Sequence, residues 1–229
     1  MEHTMKVIAR IHSDFPEKFG IPRQSGLVPA LRAKIVFEPE YRNPDALRGI
    51  EGFSHLWLIW QFSAAVRDTW SPTVRPPRLG GNERVGVFAT RSPFRPNAIG
   101  LSCVKLESVQ HEDGFGDVLI VSGADLMDGT PIYDVKPYLP YADAHPEALG
   151  GFAPSPKETI EVECPPELLQ KLPEGRREAL LGVLAQDPRP QYQNAPERVY
   201  GMSFGGWDVK FCVKDGVLTV LSLAETEHQ

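Results

Sequence analysis

The sequence predicts a mainly β protein with a small α+β unit at its carboxyl end, and three observations carry that expectation. Short runs rich in Val, Ile and aromatic residues fill the first two-thirds of the chain, separated by clusters of Pro, Gly, Asn and Asp. No long amphipathic helix lies between them, which favours a barrel or sandwich over a doubly wound α/β sheet. After about residue 146 the pattern changes, past a Gly- and Pro-rich stretch from Leu149 to Pro156, to strand, helix, helix and hairpin.

Taken in order, Lys6 to His12, Ala33 to Phe37, His55 to Phe62, Val85 to Thr90, Ser102 to Val109 and Asp117 to Ser122 are the expected strands. The third is apolar almost throughout and reads as a strand buried on both faces. Asn43 to Arg48 is a weak helix. Ser63 to Arg84 holds no periodic segment, and so long a connection in a compact domain is usually functional. Beyond the linker, Glu158 to Glu163 reads as a strand, and Pro165 to Leu172 and Arg176 to Gln186 as helices. Leu180, Leu181 and Leu184 share one face of the second helix. Val209 to Val213 and Val217 to Leu223 form a hairpin turning at Asp215-Gly216. The expected domains are residues 1–146 and 147–229.

With 229 residues, 41% hydrophobic and 24% charged, the chain has the composition of a folded globular protein. No stretch approaches the roughly 18 to 20 apolar residues that span a bilayer, and the start lacks a charged region leading into an apolar run, so a cytoplasmic protein is expected. Cys103, Cys164 and Cys212 lie far apart without CxxC spacing, and the six histidines show no ligand spacing. Reduced thiols and chemistry without a metal are the expectation. Gly114-Phe115-Gly116 precedes a strand and has Leu119 where a dinucleotide fingerprint needs its third glycine; neither a P-loop nor a GxSxG elbow is present.

A formal net charge of -6 argues against a nucleic-acid partner, but the distribution does not. From residue 75 to 95 there are five arginines (Arg75, Arg78, Arg84, Arg91 and Arg95) and one acid, Glu83. A local positive field can hold a polyanion whatever the overall sign. Arginine rather than lysine suits bidentate contacts with phosphate or carboxylate, and the interleaved Pro76, Pro77, Pro93 and Pro96 restrict the backbone. The other dense group runs from Asp125 to Tyr138, where Asp125, Asp128 and Asp134 lie within ten residues beside Tyr133 and Lys136. Asp128-Gly129 also fits a plain hairpin turn.

The phrases Pro22-Arg23-Gln24, Ser54-His55-Leu56-Trp57, Pro72-Thr73-Val74-Arg75-Pro76-Pro77-Arg78-Leu79-Gly80-Gly81-Asn82 and Asp128-Gly129-Thr130-Pro131 are long and rare. Together they closely resemble the TsaA-like domain of the TrmO family, the tRNA threonylcarbamoyladenosine methyltransferases, over about residues 5 to 145. Leu184 to Pro190 also resembles the appendage of bacterial members. Ala98 departs from the family phrase, which commonly has proline there.

The resemblance implies a single β-barrel that binds S-adenosylmethionine near a homodimer interface, and a substrate tRNA carrying threonylcarbamoyladenosine at position 37. Carried over, the cofactor contacts are Pro22, Arg23, Gln24, Phe62, Ser63, Arg91, Leu101, Asp125, Leu126, Met127 and Asp128. Asp125 or Asp128 would balance the ammonium or sulfonium charge, and Arg91 would pair with the cofactor carboxylate. The proton acceptor would be Asp128, Tyr133 or Asp134, and Arg75, Arg78 and Arg95 would hold the tRNA. Two alternatives stand beside this reading: an RNA-binding barrel without activity, and a methyltransferase acting on a small molecule.

Overall fold

The computed structural model describes residues 3–66, 69–189 and 198–226. Six antiparallel strands close into a ring, in the order β1 (Ala9–His12), β2 (Arg32–Phe37), β7 (Gly116–Ser122), β6 (Ile99–Glu112), β3 (His55–Gln61) and β8 (Pro131–Pro137), with β8 pairing back onto β1. Two further short strands, β4 (Thr73–Val74) and β5 (Val85–Gly86), pair only with each other and stand outside the ring as a small ribbon. Strand alternation decides what fills the interior: Ala9, Ile11, Ile35, Leu56, Leu58, Trp60, Val104, Leu119, Val121 and Ile132 all point inward and are buried. Each such aliphatic side chain contributes about 1.5 to 3 kcal/mol when fully withdrawn from water.

Three sequence expectations are corrected. Residues 85–90 form no barrel strand, because only Val87 is buried while Phe88 is 71% exposed; the segment is the end of the β4–β5 ribbon followed by one 3-10 turn, Val87–Ala89. β3 is not buried on both faces: Leu56, Leu58 and Trp60 are inside, whereas His55, Trp57, Ile59 and Gln61 are half-covered on the outside. The helix expected at 43–48 is a 3-10 turn, Pro44–Leu47, whose first N–H is capped by the Asn43 side chain. Two strands went unforeseen, β8 and a strand in the second lobe.

A short helix α1 (Pro140–Asp143) follows β8. The second lobe is a four-stranded sheet in the order β10 (Tyr200–Phe204), β11 (Trp207–Lys214), β12 (Val217–Glu225), β9 (Glu161–Glu163), with β9 parallel to β12. The hairpin turns at Asp215, which takes a positive φ of 51°, and Gly216. Helices α2 (Pro166–Leu169) and α3 (Glu174–Ala185) belong to this lobe. α3 buries Ala179, Leu180, Val183 and Leu184, leaving Leu181 only half-covered, so its inner face is rotated slightly from the one expected. Of the appendage phrase 184–190, Pro190 lies outside the described residues.

The lobe's core is not made from its own sequence alone. Phe15, Val28 and Leu31, from the connection between β1 and β2, are buried in it beside Leu180, Met202, Phe204 and Phe211. Asp14 pairs with Arg176 at 3.0 Å, and its carbonyl accepts the Gly205 N–H at 2.7 Å. Glycine is required where the connection meets the lobe, since a Cβ at Gly182 would lie 2.7 Å from a Val28 methyl. The β1–β2 connection is thus held by the barrel at both ends and by the second lobe along its length.

Candidate functional site

The segment that carries Pro22-Arg23-Gln24 is the middle of that connection, and its far side lies on the barrel. The Gly26 N–H donates to the Gly123 carbonyl at 2.8 Å, and the Cys103 N–H donates to the Ser25 hydroxyl at 3.2 Å. Here the Arg91 guanidinium donates to the Gln24 side-chain carbonyl. Pro22 is buried and Arg23 exposed.

Directly inside this mouth of the barrel is a chain of hydrogen bonds that the sequence did not reveal. The Trp60 indole N–H donates to the Ser102 hydroxyl at 3.0 Å, and Ser102 donates in turn to a carboxylate oxygen of Asp125 at 2.6 Å. Trp60 reaches that position because β6 has Gly100 opposite it: a Cβ there would stand 2.3 Å from the indole. The Asp125 carboxyl is pushed above its ordinary value by burial, against the opposing pull of the Ser102 hydroxyl, its own backbone N–H, the Arg91 charge and the Ser25 N–H. Gln24, Ser25, Arg91, Ser102 and Asp125 therefore converge on one pocket mouth, with an acid and a base kept apart by packing.

The rest of the carboxylate cluster does not gather there. Asp128 sits at the turn before Gly129, which has a φ of 73°. Its carboxylate accepts the Ser13 N–H at 3.1 Å and lies 3.4 Å from His12, and its own N–H donates to the Phe15 carbonyl. All these partners belong to β1 and the residues after it. Leu126 is buried in the barrel core, and the Met127 carbonyl accepts both the N–H and hydroxyl of Thr130. Asp134 accepts the Val135 N–H at 2.9 Å and pairs with Lys136 at 3.3 Å on the outside of β8.

Tyr133 is set apart by a bulge. β8 pairs Asp134 with Ile59 but Ile132 with Trp60, so Tyr133 is the extra residue between them, and its hydroxyl donates to Gln61 at 2.7 Å. Both side chains line an open cleft of about 260 Å³ together with Trp70, Arg95, Asn97 and Ile99. The 90–99 segment thus serves two places, sending Arg91 to the Gln24 pocket and Arg95 to the cleft. Arg95 is held there by donating to the Thr90 carbonyl at 2.8 Å. Phe62 packs on Trp60 with ring centroids 4.2 Å apart, and Ser63 is exposed at the start of the excursion from β3. Leu101, 46% exposed, is on the outer face of β6 opposite Ile59. Arg75 lines a second, shallow hollow with Gly80, Gly81 and Asn82, and Arg78 donates to the Ser155 carbonyl in the linker. Among the described residues, no group of three or more His, Cys, Asp or Glu side chains is placed to hold a metal ion, and no helix is long and apolar enough to cross a membrane.

Residues 10–144 match the family model of the tRNA-methyltransferase O N-terminal domain, and residues 157–226 that of the TrmO C-terminal domain. A tRNA (adenine(37)-N6)-methyltransferase of Escherichia coli K12 is 43% identical over 226 residues, covering 94% of this chain and 95% of the relative. A Pseudomonas aeruginosa relative whose name includes "S-adenosylmethionine-dependent methyltransferase" is 45% identical over 217 residues, covering 91% of each chain. A crystal structure of TrmO from Pseudomonas aeruginosa superposes with a TM-score of 0.81 at 38% identity, covering 98% of this chain and 99% of that one.

Proposed function

The chain belongs to the tRNA-methyltransferase O family, and from that premise we propose that it methylates the N6 nitrogen of the adenosine at position 37 of tRNA. It is an S-adenosylmethionine-dependent methyltransferase. The observation that carries the reading is the barrel mouth where Gln24 and Arg91 face the Trp60–Ser102–Asp125 chain.

These residues fit the cofactor's amino-acid end. A guanidinium and an amide beside a half-buried carboxylate match a carboxylate and an ammonium group presented together. When bound, S-adenosylmethionine supplies an electrophilic methyl group on a sulfonium sulfur and leaves as a neutral thioether. Arg91 and Gln24 orient its carboxylate, and Asp125 balances its positive charge. Pro22, Arg23, Phe62, Ser63, Leu101, Leu126, Met127 and Asp128 complete the proposed surround.

In the finer proposal the substrate is threonylcarbamoyladenosine. Its exocyclic nitrogen shares a lone pair with the purine ring and the urea carbonyl, so an acceptor for the departing proton assists attack. Methyl transfer otherwise needs alignment more than a metal or covalent intermediate. Tyr133 is placed for that task by the bulge: with its own hydrogen given to Gln61, its oxygen can still accept within the cleft. Asp128 and Asp134 are the other acceptors, each already engaged by backbone N–H groups. Arg75, Arg78 and Arg95 are assigned to the tRNA, including the threonyl carboxylate.

The barrel domain, 1–146, carries the chemistry, and 147–229 supports it by bracing the β1–β2 connection that presents Gln24. A cytoplasmic homodimer completes the proposal. Calorimetry with S-adenosylmethionine in excess EDTA, followed by mass spectrometry of nucleosides from incubated tRNA, tests it. The expected product is threonylcarbamoyladenosine heavier by one methyl group. Retained tRNA binding by folded protein that takes up no cofactor leaves the RNA-binding barrel instead.

A further inference from the structure

The β4–β5 ribbon displays two aromatic rings that no packing requirement explains. Thr73 pairs with Gly86 and Val74 with Val85, and the Val87 N–H donates to the Pro72 carbonyl at 2.9 Å, so the ribbon brings the residues just before β4 beside those just after β5. Trp70 and Phe88 meet there as a stacked pair, centroids 6.1 Å apart at 26°. Trp70 is nevertheless 52% exposed and Phe88 71% exposed. A cross-strand aromatic pair stabilises a ribbon by a few tenths of a kcal/mol to about 1 kcal/mol. It does so by covering itself, which this pair largely fails to do.

The surroundings indicate what covers it. Arg95 lies 5.9 Å from the Phe88 ring centre, and Arg84 is fixed on the same ribbon by donating to Thr73 at 2.9 Å. Arginine ion pairs among the described residues are made by Arg10, Arg48, Arg176 and Arg189, so the five arginines of the 75–95 segment keep their charge uncompensated. Trp70 and Arg95 also line the cleft that holds Tyr133. Flat apolar faces beside uncompensated cations suit a ligand with flat faces and anionic links, which is unpaired nucleic acid.

We propose that Trp70 and Phe88 form a stacking platform for an unpaired base of the RNA loop, next to the base that enters the Tyr133 cleft. The inference rests on the tRNA reading above and adds a contact to it. Stacking is indifferent to base identity and to salt, whereas arginine–phosphate contacts set the salt dependence. The platform therefore holds the loop in place and leaves the choice of adenosine to the cleft.

The test uses the full chain and a synthetic anticodon stem-loop carrying threonylcarbamoyladenosine, together with copies in which single loop nucleotides are abasic. Phe88→Ala and Trp70→Ala should each weaken binding of the intact loop roughly tenfold. The slope of log affinity against log salt should stay at the wild-type value. One abasic position should abolish the difference between wild type and variant. Phe88→Leu keeps apolar cover but no ring face, so it should behave like Phe88→Ala, while Phe88→Tyr should behave like wild type. Equal affinity of all four variants for every loop, with wild-type protein binding normally, overturns the platform and leaves the tRNA reading intact. Failure of wild-type protein to bind any loop overturns the tRNA reading itself. A change in sedimenting mass without a change in RNA affinity shows that a second copy of the chain covers the rings, and also overturns the proposal.

Discussion

Asp125 and Asp128 stand three residues apart on the same connection between β7 and β8, yet their surroundings have little in common. Asp125 turns into the barrel mouth, takes its hydrogen bond from a buried hydroxyl and is pushed toward protonation by burial. Asp128 stays outside, 46% exposed at its side chain, and uses its carboxylate to cap the Ser13 N–H. A carboxylate in water is stable wherever it is put. One withdrawn from water, with an arginine nearby to compensate it, needs the rest of the site built around it, and for that reason it makes the stronger functional candidate.

Disturbing the construction around Asp125 should give the largest effect. A Cβ at position 100 would stand 2.3, 2.4 and 2.6 Å from three atoms of the Trp60 ring, and neither the ring nor β6 can yield without opening the barrel. Gly100→Ala should lose about 1 to 3 kcal/mol in chemical denaturation. It should also lose S-adenosylmethionine binding altogether, since the Trp60–Ser102–Asp125 chain is displaced. Normal cofactor affinity in this variant would separate the chain from the site.

Asp125→Asn comes next in size. It keeps an acceptor for the Ser102 hydroxyl but removes the charge, so cofactor affinity should fall by roughly tenfold or more, the worth of one charged hydrogen bond. Stability should respond with the opposite sign. A carboxyl whose folded pKa is raised binds its proton more tightly when folded, so its contribution is most favourable at low pH. That contribution declines as pH climbs from the ordinary value of 3.8 through the raised one. Asp14 is shifted in the same direction by burial, so the informative quantity is the difference between variant and wild type. Denaturation midpoints should coincide below about pH 4 and diverge above it, with Asn the more stable. Parallel curves at all pH values would mean that Asp125 is not desolvated.

Much of this was legible in the sequence, and the omissions have physical reasons. Alternating Val, Ile and aromatic residues located β1, β2, β3, β6 and β7 because one face of each strand is buried. β8 escaped because it begins and ends in proline and carries Asp134 and Lys136 on its outer side, leaving Ile132 as its one fully buried apolar side chain. β10, with glycine at its second position, shows too short a pattern. The site was half legible. Gln24, Arg91 and Asp125 were named and do converge, but Ser102 and Trp60 looked like ordinary strand residues, and only the pairing of β3 with β6 brings them together. The carboxylates of residues 125–134 looked like one cluster because sequence distance ignores the turn and the bulge that send them to three places. Nor could the sequence show that Phe15, Val28 and Leu31 complete the core of the second lobe, since they precede it by well over a hundred residues.

The smallest expected effect completes the contrast. Asp128→Asn preserves the shape of the side chain and the oxygen that accepts the Ser13 N–H, and the solvent exposure of the site makes the lost charge inexpensive. Stability should change by under about 0.5 kcal/mol, and both cofactor affinity and single-turnover rate should stay within about twofold of wild type. Asp128→Ala removes the acceptor as well and should lose about 1 kcal/mol, again without a kinetic effect. A base at this position predicts something different: a large fall in the single-turnover rate of the Asn variant, with S-adenosylmethionine binding unchanged. A cofactor contact predicts weaker binding and a rate restored by more cofactor. Either result would place Asp128 in the chemistry alongside Asp125 and remove the distinction between the two. The flat response would leave Asp128 as the cap of a turn and direct the search for the proton acceptor to Tyr133, where Tyr133→Phe removes the phenol oxygen while leaving the ring in the bulge.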